Sequence, residues 1–360
     1  MKIALMNVIK PQEGSRDGMT EYAYQLYERL KRRHHVDLIY VTEKSKRLDT
    51  AAFLYANTLF KAKAKRLGRR NYDIVHITNQ ELGFVAKILK KGSGSAKVIT
   101  SVHDLMRMHQ GAYKNIVQRA YSTIVSNSIL DCFRYSDHII FTASTVQKEA
   151  ERKFGGKHSN WITTLLGPSE EFRSTSIPRR TKRKKFVIGY VGAFAPWKNP
   201  MFVLRTAKLF ERNDKYEFHM YGAGPEESVM QAYKAENRLN NVEIHGFPTQ
   251  DKFLGMYDGF DALFYPTTEE GSSLPMINAQ CRGLPVVIYK KNKVDPEVTR
   301  YCFVSEDESE AARIIKRLCE RGFDRKRRNE MLRHIRKFSW DRVTKETLKV
   351  YGETLKAKRE

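Results

Sequence analysis

Short apolar runs alternate with longer amphipathic ones from the first residue onward. Residues 3–8, 36–41, 74–77, 97–102 and 138–142 are brief, rich in β-branched side chains and almost free of internal charge, the pattern of strands buried on both faces. Between them, residues 20–33, 83–90, 116–134 and 146–154 carry apolar side chains at helical spacing. Regular alternation of such elements predicts βαβ units and a parallel sheet. The pattern breaks at 178–185 and restarts, with strands expected at 186–191, 217–221, 242–245, 262–265 and 285–288. Helical segments at 309–321, 325–337 and 341–356 close the chain.

The expected architecture is therefore α/β, two Rossmann-like domains with parallel sheets. The first spans 1–178, a basic linker 179–185, the second 186–340, and a last helix 341–360. Two such domains in tandem usually hold a ligand in the cleft between them, at the carboxyl ends of the strands.

Composition narrows the class. A chain of 360 residues with 41% apolar content can bury a large core, which excludes a disordered or fibrous protein. No apolar run approaches the roughly 20 residues that cross a bilayer. The first apolar stretch is broken by Asn7 and ends at Lys10 and Pro11, unlike a secretion signal. Cys132, Cys281, Cys302 and Cys319 lie far apart without a Cys-x-x-Cys, which predicts reduced thiols in a cytoplasmic protein.

Net charge adds a partner to the picture. The chain carries a formal +24, with most of the excess in residues 1–178 and in the linker, where six of the seven residues from Arg179 to Lys185 are basic. That distribution points to an anionic partner: a membrane surface, a phosphorylated acceptor or nucleic acid. Within it, Phe53, Ala56, Phe60, Ala64 and Leu67 fall on one helical stripe, with Lys61, Lys63, Lys65, Arg66, Arg69 and Arg70 clustered at its end. Such a helix either lies on anionic lipid or packs on its own sheet as an ordinary surface helix. No groove-reading helix motif or aromatic-studded sheet motif accompanies the charge, so nucleic acid is not the expected partner.

Several familiar chemistries are absent. No complete Gly-x-Gly-x-x-Gly follows a strand, and Gly92-Ser-Gly94-Ser-Ala-Lys97 lacks P-loop spacing. No Asp-x-Asp offers to hold a metal on a diphosphate, and Glu306-Asp307-Glu308 reads as favourable charge at a helix start. The informative stretch runs from Phe264 to Val287. A strand enters a loop, Pro266-Thr-Thr-Glu269-Glu270-Gly271-Ser272-Ser273, and a helix opens at about Pro275 and carries Asn278. Gly283-Leu-Pro285-Val-Val287 then turns into the next strand. Amides at such a helix start hold phosphate, and Glu270 can accept hydrogen bonds from a polyol.

This segment resembles the signature of retaining glycosyltransferases of GT-B fold, family four. Other segments match in order. Gly189-Tyr-Val191-Gly192-Ala193-Phe194-Ala195-Pro196-Trp197-Lys198 is similar to the family's Val-Gly-Arg-Leu-x-Pro-x-Lys run, whose Lys binds the donor diphosphate. Tyr221-Gly222-Ala-Gly224-Pro225, Asn241-Val-Glu-Ile-His-Gly246, Asp73-Ile-Val-His76, Thr100-Ser-Val-His103-Asp104 and Phe338-Ser339-Trp340 resemble further family motifs. In this fold the helix after the last motif returns to the first domain.

The resemblance implies a hexosyltransferase acting without metal or cofactor. Its donor is a nucleoside diphosphate sugar, UDP- or GDP-linked. Its acceptor is phosphorylated, lipid-linked or a glycan, reached from the cytoplasm, either in solution or at the inner membrane face. Lys198 neutralises the departing diphosphate, Glu270 orients the sugar hydroxyls, Asn278 the ribose, and His103 contacts the sugar from the first domain. Gly18, Gly192, Gly222, Gly271, Ser272, Ser273 and Leu274 complete the donor set. The leaving phosphate takes the acceptor proton on the same face. The chain departs from the family at Ala193, where an Arg is usual, at Asn199 for Gly, at Gly271-Ser272-Ser273 for Gly-Phe-Gly, at Asn278 for a second Glu, and at Asp17-Gly18 for a glycine pair. A degenerate protein that binds nucleotide without transfer is the rival reading.

Overall fold

The computed structural model describes residues 1–12, 18–43, 60–92, 94–108, 116–177 and 184–357. The chain divides into two compact units, one of residues 1–166 with 339–360 and the other of residues 167–338.

The first unit is built on a six-stranded sheet in the order β2-β1-β3-β4-β5-β6. Its strands are β1 (Lys2–Ile9), β2 (His35–Thr42), β3 (Ile74–Ile77), β4 (Lys97–Val102), β5 (His138–Phe141) and β6 (Trp161–Thr163). Every pairing is parallel. The apolar runs read from the sequence are its buried centre; β3 has no exposed residue. Helices Gly18–Leu30, Phe84–Lys91, Ile116–Tyr135 and Ser144–Phe154 make the crossovers. Helix Trp340–Lys356 belongs to this unit: Arg29 Nε donates to Asp341 Oδ1 at 2.7 Å, and Tyr351 Oη lies 2.7 Å from His76 Nδ1.

Residues 60–67 are helical, and Phe60, Ala64 and Leu67 are buried in the core with Phe84 and Leu89. The described part of its apolar stripe packs in its own unit's core, and Lys61, Lys63, Lys65, Arg66, Arg69 and Arg70 are exposed. Phe53 and Ala56 lie outside the described residues.

The second unit repeats the plan with order β12-β11-β10-β7-β8-β9, again all parallel. Its strands are β7 (Phe186–Val191), β8 (Tyr216–Tyr221), β9 (Val242–His245), β10 (Ala262–Tyr265), β11 (Val286–Tyr289) and β12 (Phe303–Ser305). Residues 167–177, upstream of the basic segment that marks the linker in the sequence, pack with this unit for a physical reason. Phe172 inserts edge-on against Tyr257, and the fully buried Arg282 guanidinium donates to the carbonyls of Thr175 and Ser176 at 2.9 Å while pairing with Asp258 at 2.6 Å. Most of the basic linker itself, 179–183, lies outside the described residues.

The four thiols are unpaired. Among the described residues no helix is long and apolar enough to cross a membrane.

Candidate functional site

In the second unit the loops at the carboxyl ends of β7, β8 and β10 converge. After β7 the chain passes Gly192 to a single 3-10 turn, Pro196–Lys198, and then Asn199 takes a left-handed conformation with φ 54°. That conformation explains one departure noted above. The position is one where Gly has no steric penalty, and Asn tolerates it better than other side chains do. Asn199 also ties this turn to the loop after β10, since its Nδ2 donates to Pro266 O at 3.4 Å. Thr268 N and Thr267 Oγ1 donate to Trp197 O at 2.8 and 3.1 Å.

The clamp brings Lys198 and Glu270 together. Lys198 Nζ lies 2.8 Å from Glu270 Oε2, with both side chains only 16% exposed. Beside this ion pair the buried hydroxyls of Ser272 and Ser273 have no hydrogen-bond partner. The Lys198 ammonium also sits 5.6 Å from the ring centroid of Tyr265. Burial first, and then the Glu270 charge, push the Tyr265 phenol well above its ordinary range, so it stays protonated as a hydrogen-bond donor. Buried polar atoms without partners are rare, and two on adjacent residues of one loop make this loop a candidate for ligand binding.

Helix Leu274–Cys281 begins there. Its first residues include Pro275, and Ser273 makes no side-chain cap. No side-chain cap therefore occupies the amides of Leu274 and Met276, which such a start can offer to an anion; Pro275 has no N–H. Asn278, on the same helix, is 2% exposed; its Oδ1 accepts from Ser169 N at 3.1 Å and its Nδ2 approaches Ser169 Oγ at 3.4 Å. Gly222 has a packing role that sequence reading missed. A Cβ there would stand 2.0 Å from Gly192 O, and one on Gly224 2.2 Å from Phe194 O. Glycine at both positions lets the loop after β8 press on the loop after β7, where Phe194 N donates to Ala223 O at 3.0 Å. Gly192 itself faces Tyr265 and Tyr190.

In the first unit His103 follows β4 and is buried, its Nε2 2.9 Å from Thr78 O and its ring edge-on to Tyr22 at 5.1 Å. Gly18 opens the helix that carries Tyr22, one turn upstream on the same face. A second histidine emerged beside it. His76 is fully buried between Tyr351 and Ser101 at 2.7 and 2.8 Å, and Ser101 in turn meets Tyr22 at 2.8 Å. Burial, with a smaller contribution from His103, pushes the His76 imidazole down to about 3, so it is a neutral link in this polar network. A cavity of about 660 Å3 in the second unit opens by Phe186, Asp261 and Pro285 at the amino ends of β7, β10 and β11. It is thus at the opposite end of the sheet from Lys198 and Glu270.

Comparison with known proteins gives two family matches. Residues 173–338 match the model "Glycosyl transferases group 1", and residues 16–162 match "Glycosyltransferase Family 4". A D-inositol 3-phosphate glycosyltransferase of Salinispora tropica is 28% identical over 189 residues, 47% of this chain and 39% of that protein. The O-antigen chain mannosyltransferase B of Escherichia coli is 22% identical over 275 residues, 71% of this chain and 70% of that one. In the first two curated relatives the matched segment is 27% and 39% of the relative's length, so the chain spans well under half of them. Among solved structures, Anabaena HepE with UDP and glucose superposes with a TM-score of 0.72 at 14% identity, covering 98% of this chain and 99% of that one. The sucrose-phosphate synthase of Thermosynechococcus elongatus superposes with 0.74 at 18% identity, covering 98% of each.

Proposed function

We propose, from the premise that this chain belongs to the group 1 glycosyltransferases of GT-B fold, that it transfers a hexose with retention from a nucleoside diphosphate sugar to an anionic or membrane-associated acceptor. The observation that carries the reading is the buried Lys198–Glu270 pair, set beside two unpartnered serine hydroxyls and an uncapped helix start. An arriving diphosphate competes with Glu270 for Lys198. The ammonium then neutralises charge on the leaving group, where electrostatic stabilisation acts most strongly. The first-turn amides and the Ser272 and Ser273 hydroxyls take phosphate oxygens, and Glu270, released from Lys198, accepts hydrogen bonds from sugar hydroxyls.

Donor binding is supported by HepE, whose structure holds UDP and glucose. His103 is the proposed sugar contact contributed by the first unit, and Asn278 the proposed ribose contact. The exposed basic cluster from Lys61 to Arg70 suits a phosphorylated, lipid-linked or glycan acceptor through charge alone. No side chain of the described site is placed as a covalent nucleophile; the anomeric carbon passes through an oxocarbenium-like state, and the departing phosphate receives the acceptor proton.

The test is turnover of UDP- and GDP-linked hexoses, followed as transfer or slow donor hydrolysis, with the anomer of the product read by NMR. Glu270→Ala should lower turnover by about 100-fold. Unimpaired transfer by that variant, or an inverted product, would overturn the corresponding part of the proposal. A second reading, nucleotide binding without transfer, draws on Asn278, whose polar atoms are engaged by Ser169. It predicts nucleotide affinity with no turnover of any donor.

A further inference from the structure

Strand alternation places Glu217, His219 and Tyr221 of β8 on one face of the second sheet, and the parallel register sets Glu243 opposite His219 and His245 opposite Tyr221. The other face of β8 is buried, through Tyr216, Phe218 and Met220, while this one is half open. β9 is the edge strand, so the face is reachable from solvent. On it, His245 Nε2 lies 3.3 Å from His219 Nδ1 and 3.2 Å from Glu243 Oε2, and His219 Nδ1 lies 3.7 Å from the same carboxylate oxygen.

These three separations have a geometric meaning. Ligand atoms about 2.0 to 2.1 Å from a tetrahedral zinc ion stand about 3.3 to 3.4 Å from one another. The observed triangle of 3.3, 3.2 and 3.7 Å therefore closes around one such ion with shifts of a few tenths of an ångström.

We propose that His219, Glu243 and His245 bind a divalent transition-metal ion of the zinc type, with the fourth position left to water. Two imidazoles and one carboxylate select zinc, cobalt, nickel or copper over the oxygen-seeking magnesium and calcium.

The surroundings supply the supporting shell such sites require. His219 Nε2, the nitrogen that would not touch the metal, is buried without a hydrogen-bond partner and faces Glu217 Oε2 at 3.6 Å. A closing of this gap by about half an ångström would give the carboxylate–histidine hydrogen bond that fixes the tautomer of a metal-bound ring. Glu217 is itself anchored by Lys185. The His245 ring is held in plane by stacking on Tyr221 at 4.5 Å. An ion here would staple the edge strand β9 to β8 directly beneath the turn at Gly222, whose N donates to His245 O at 3.1 Å. The site uses none of the residues assigned to donor binding except through that backbone contact.

The experiment is a zinc titration of the full chain, freed of metal by chelator and competed with a chromogenic chelator. It is repeated with cobalt, whose visible bands report tetrahedral coordination. One ion per chain should bind, with a rise in Tm. His219→Ala and His245→Ala should each weaken binding at least tenfold, and Glu217→Gln, removing the supporting carboxylate, by about tenfold. Because Glu243 is exposed, Glu243→Gln keeps the test informative if a histidine variant fails to fold, and it should also weaken binding and shift the cobalt spectrum. Absence of stoichiometric uptake, or an isotherm unchanged by these substitutions, would overturn the proposal.

Discussion

Lys198 Nζ stands 2.8 Å from Glu270 Oε2, and each side chain is the other's counter-charge in a largely dehydrated loop. Both belong to the proposed donor site, so in the free protein the site stabilises itself with the charges it later offers the ligand. Removing one partner strands the other. Lys198→Ala should therefore cost both nucleotide affinity and some folding stability, whereas Lys198→Met with Glu270→Gln should recover stability without affinity. Urea unfolding of the single and double variants checks the first half; nucleotide binding checks the second.

The left-handed Asn199 holds the turn that presents Lys198. Asn199→Gly should be tolerated, losing only the long bond to Pro266. Asn199→Val should destabilise by about 1 to 2 kcal/mol through the strained backbone and should weaken nucleotide binding along with it. Denaturant midpoints for the two variants, which differ in direction of backbone preference, make the comparison.

Gly222 and Gly224 face backbone oxygens at distances no Cβ can occupy. Gly222→Ala should push the loops after β7 and β8 apart, at about 1 to 3 kcal/mol. The Tm of the purified variant is the readout, and an unchanged value would show that the two loops do not press together.

His76 makes stability depend on pH. Its imidazole is held neutral in the folded chain down to about 3, with burial as the main cause, while in the unfolded chain it titrates near 6.5. Between those values the unfolded state binds a proton that the folded state does not, so stability is full above pH 6.5 and falls as pH is lowered toward 3. The slope from this group is about 1.4 kcal/mol per pH unit. His76→Gln should flatten the dependence between pH 6 and 4 in urea titrations.

With Phe60, Ala64 and Leu67 buried in the first unit's core, any attraction of the 61–70 cluster to anionic vesicles is electrostatic. Each charge near the surface is worth about 1 kcal/mol. Binding should be abolished by reversing Lys61, Lys63, Lys65 and Arg66, and should fade as salt shortens the screening length. Vesicle co-sedimentation at low and high salt distinguishes this from apolar insertion, which would survive the salt.

The sequence pattern disclosed the two parallel sheets because long β-branched runs such as residues 97–102 leave little alternative. It missed β6 and β12, three residues each at the sheet edges, since Trp161-Ile-Thr163 and Phe303-Val-Ser305 are too short to show a period. The Lys198 and Glu270 loops were legible from spacing and resemblance. Their pairing was not, because a contact between residues far apart in the chain leaves no local signal. The same holds for Tyr22, Ser101, His76 and Tyr351, four polar residues from separate elements that meet only once the last helix has docked. The packing duty of Gly222 was hidden behind its resemblance to a binding motif, since close backbone approach and ligand contact both call for glycine.

The central claim, that Lys198 and the loop from Glu270 to Ser273 form a nucleotide-diphosphate site, is tested most directly by calorimetry of UDP, GDP and ADP binding to the wild type and to Lys198→Ala. The account predicts selective binding of one nucleotide, weakened about 10- to 100-fold by the loss of one charge-assisted phosphate contact of about 1.5 to 3 kcal/mol. Equal affinity of the two folded proteins, or no binding of any nucleotide to the wild type, would contradict it.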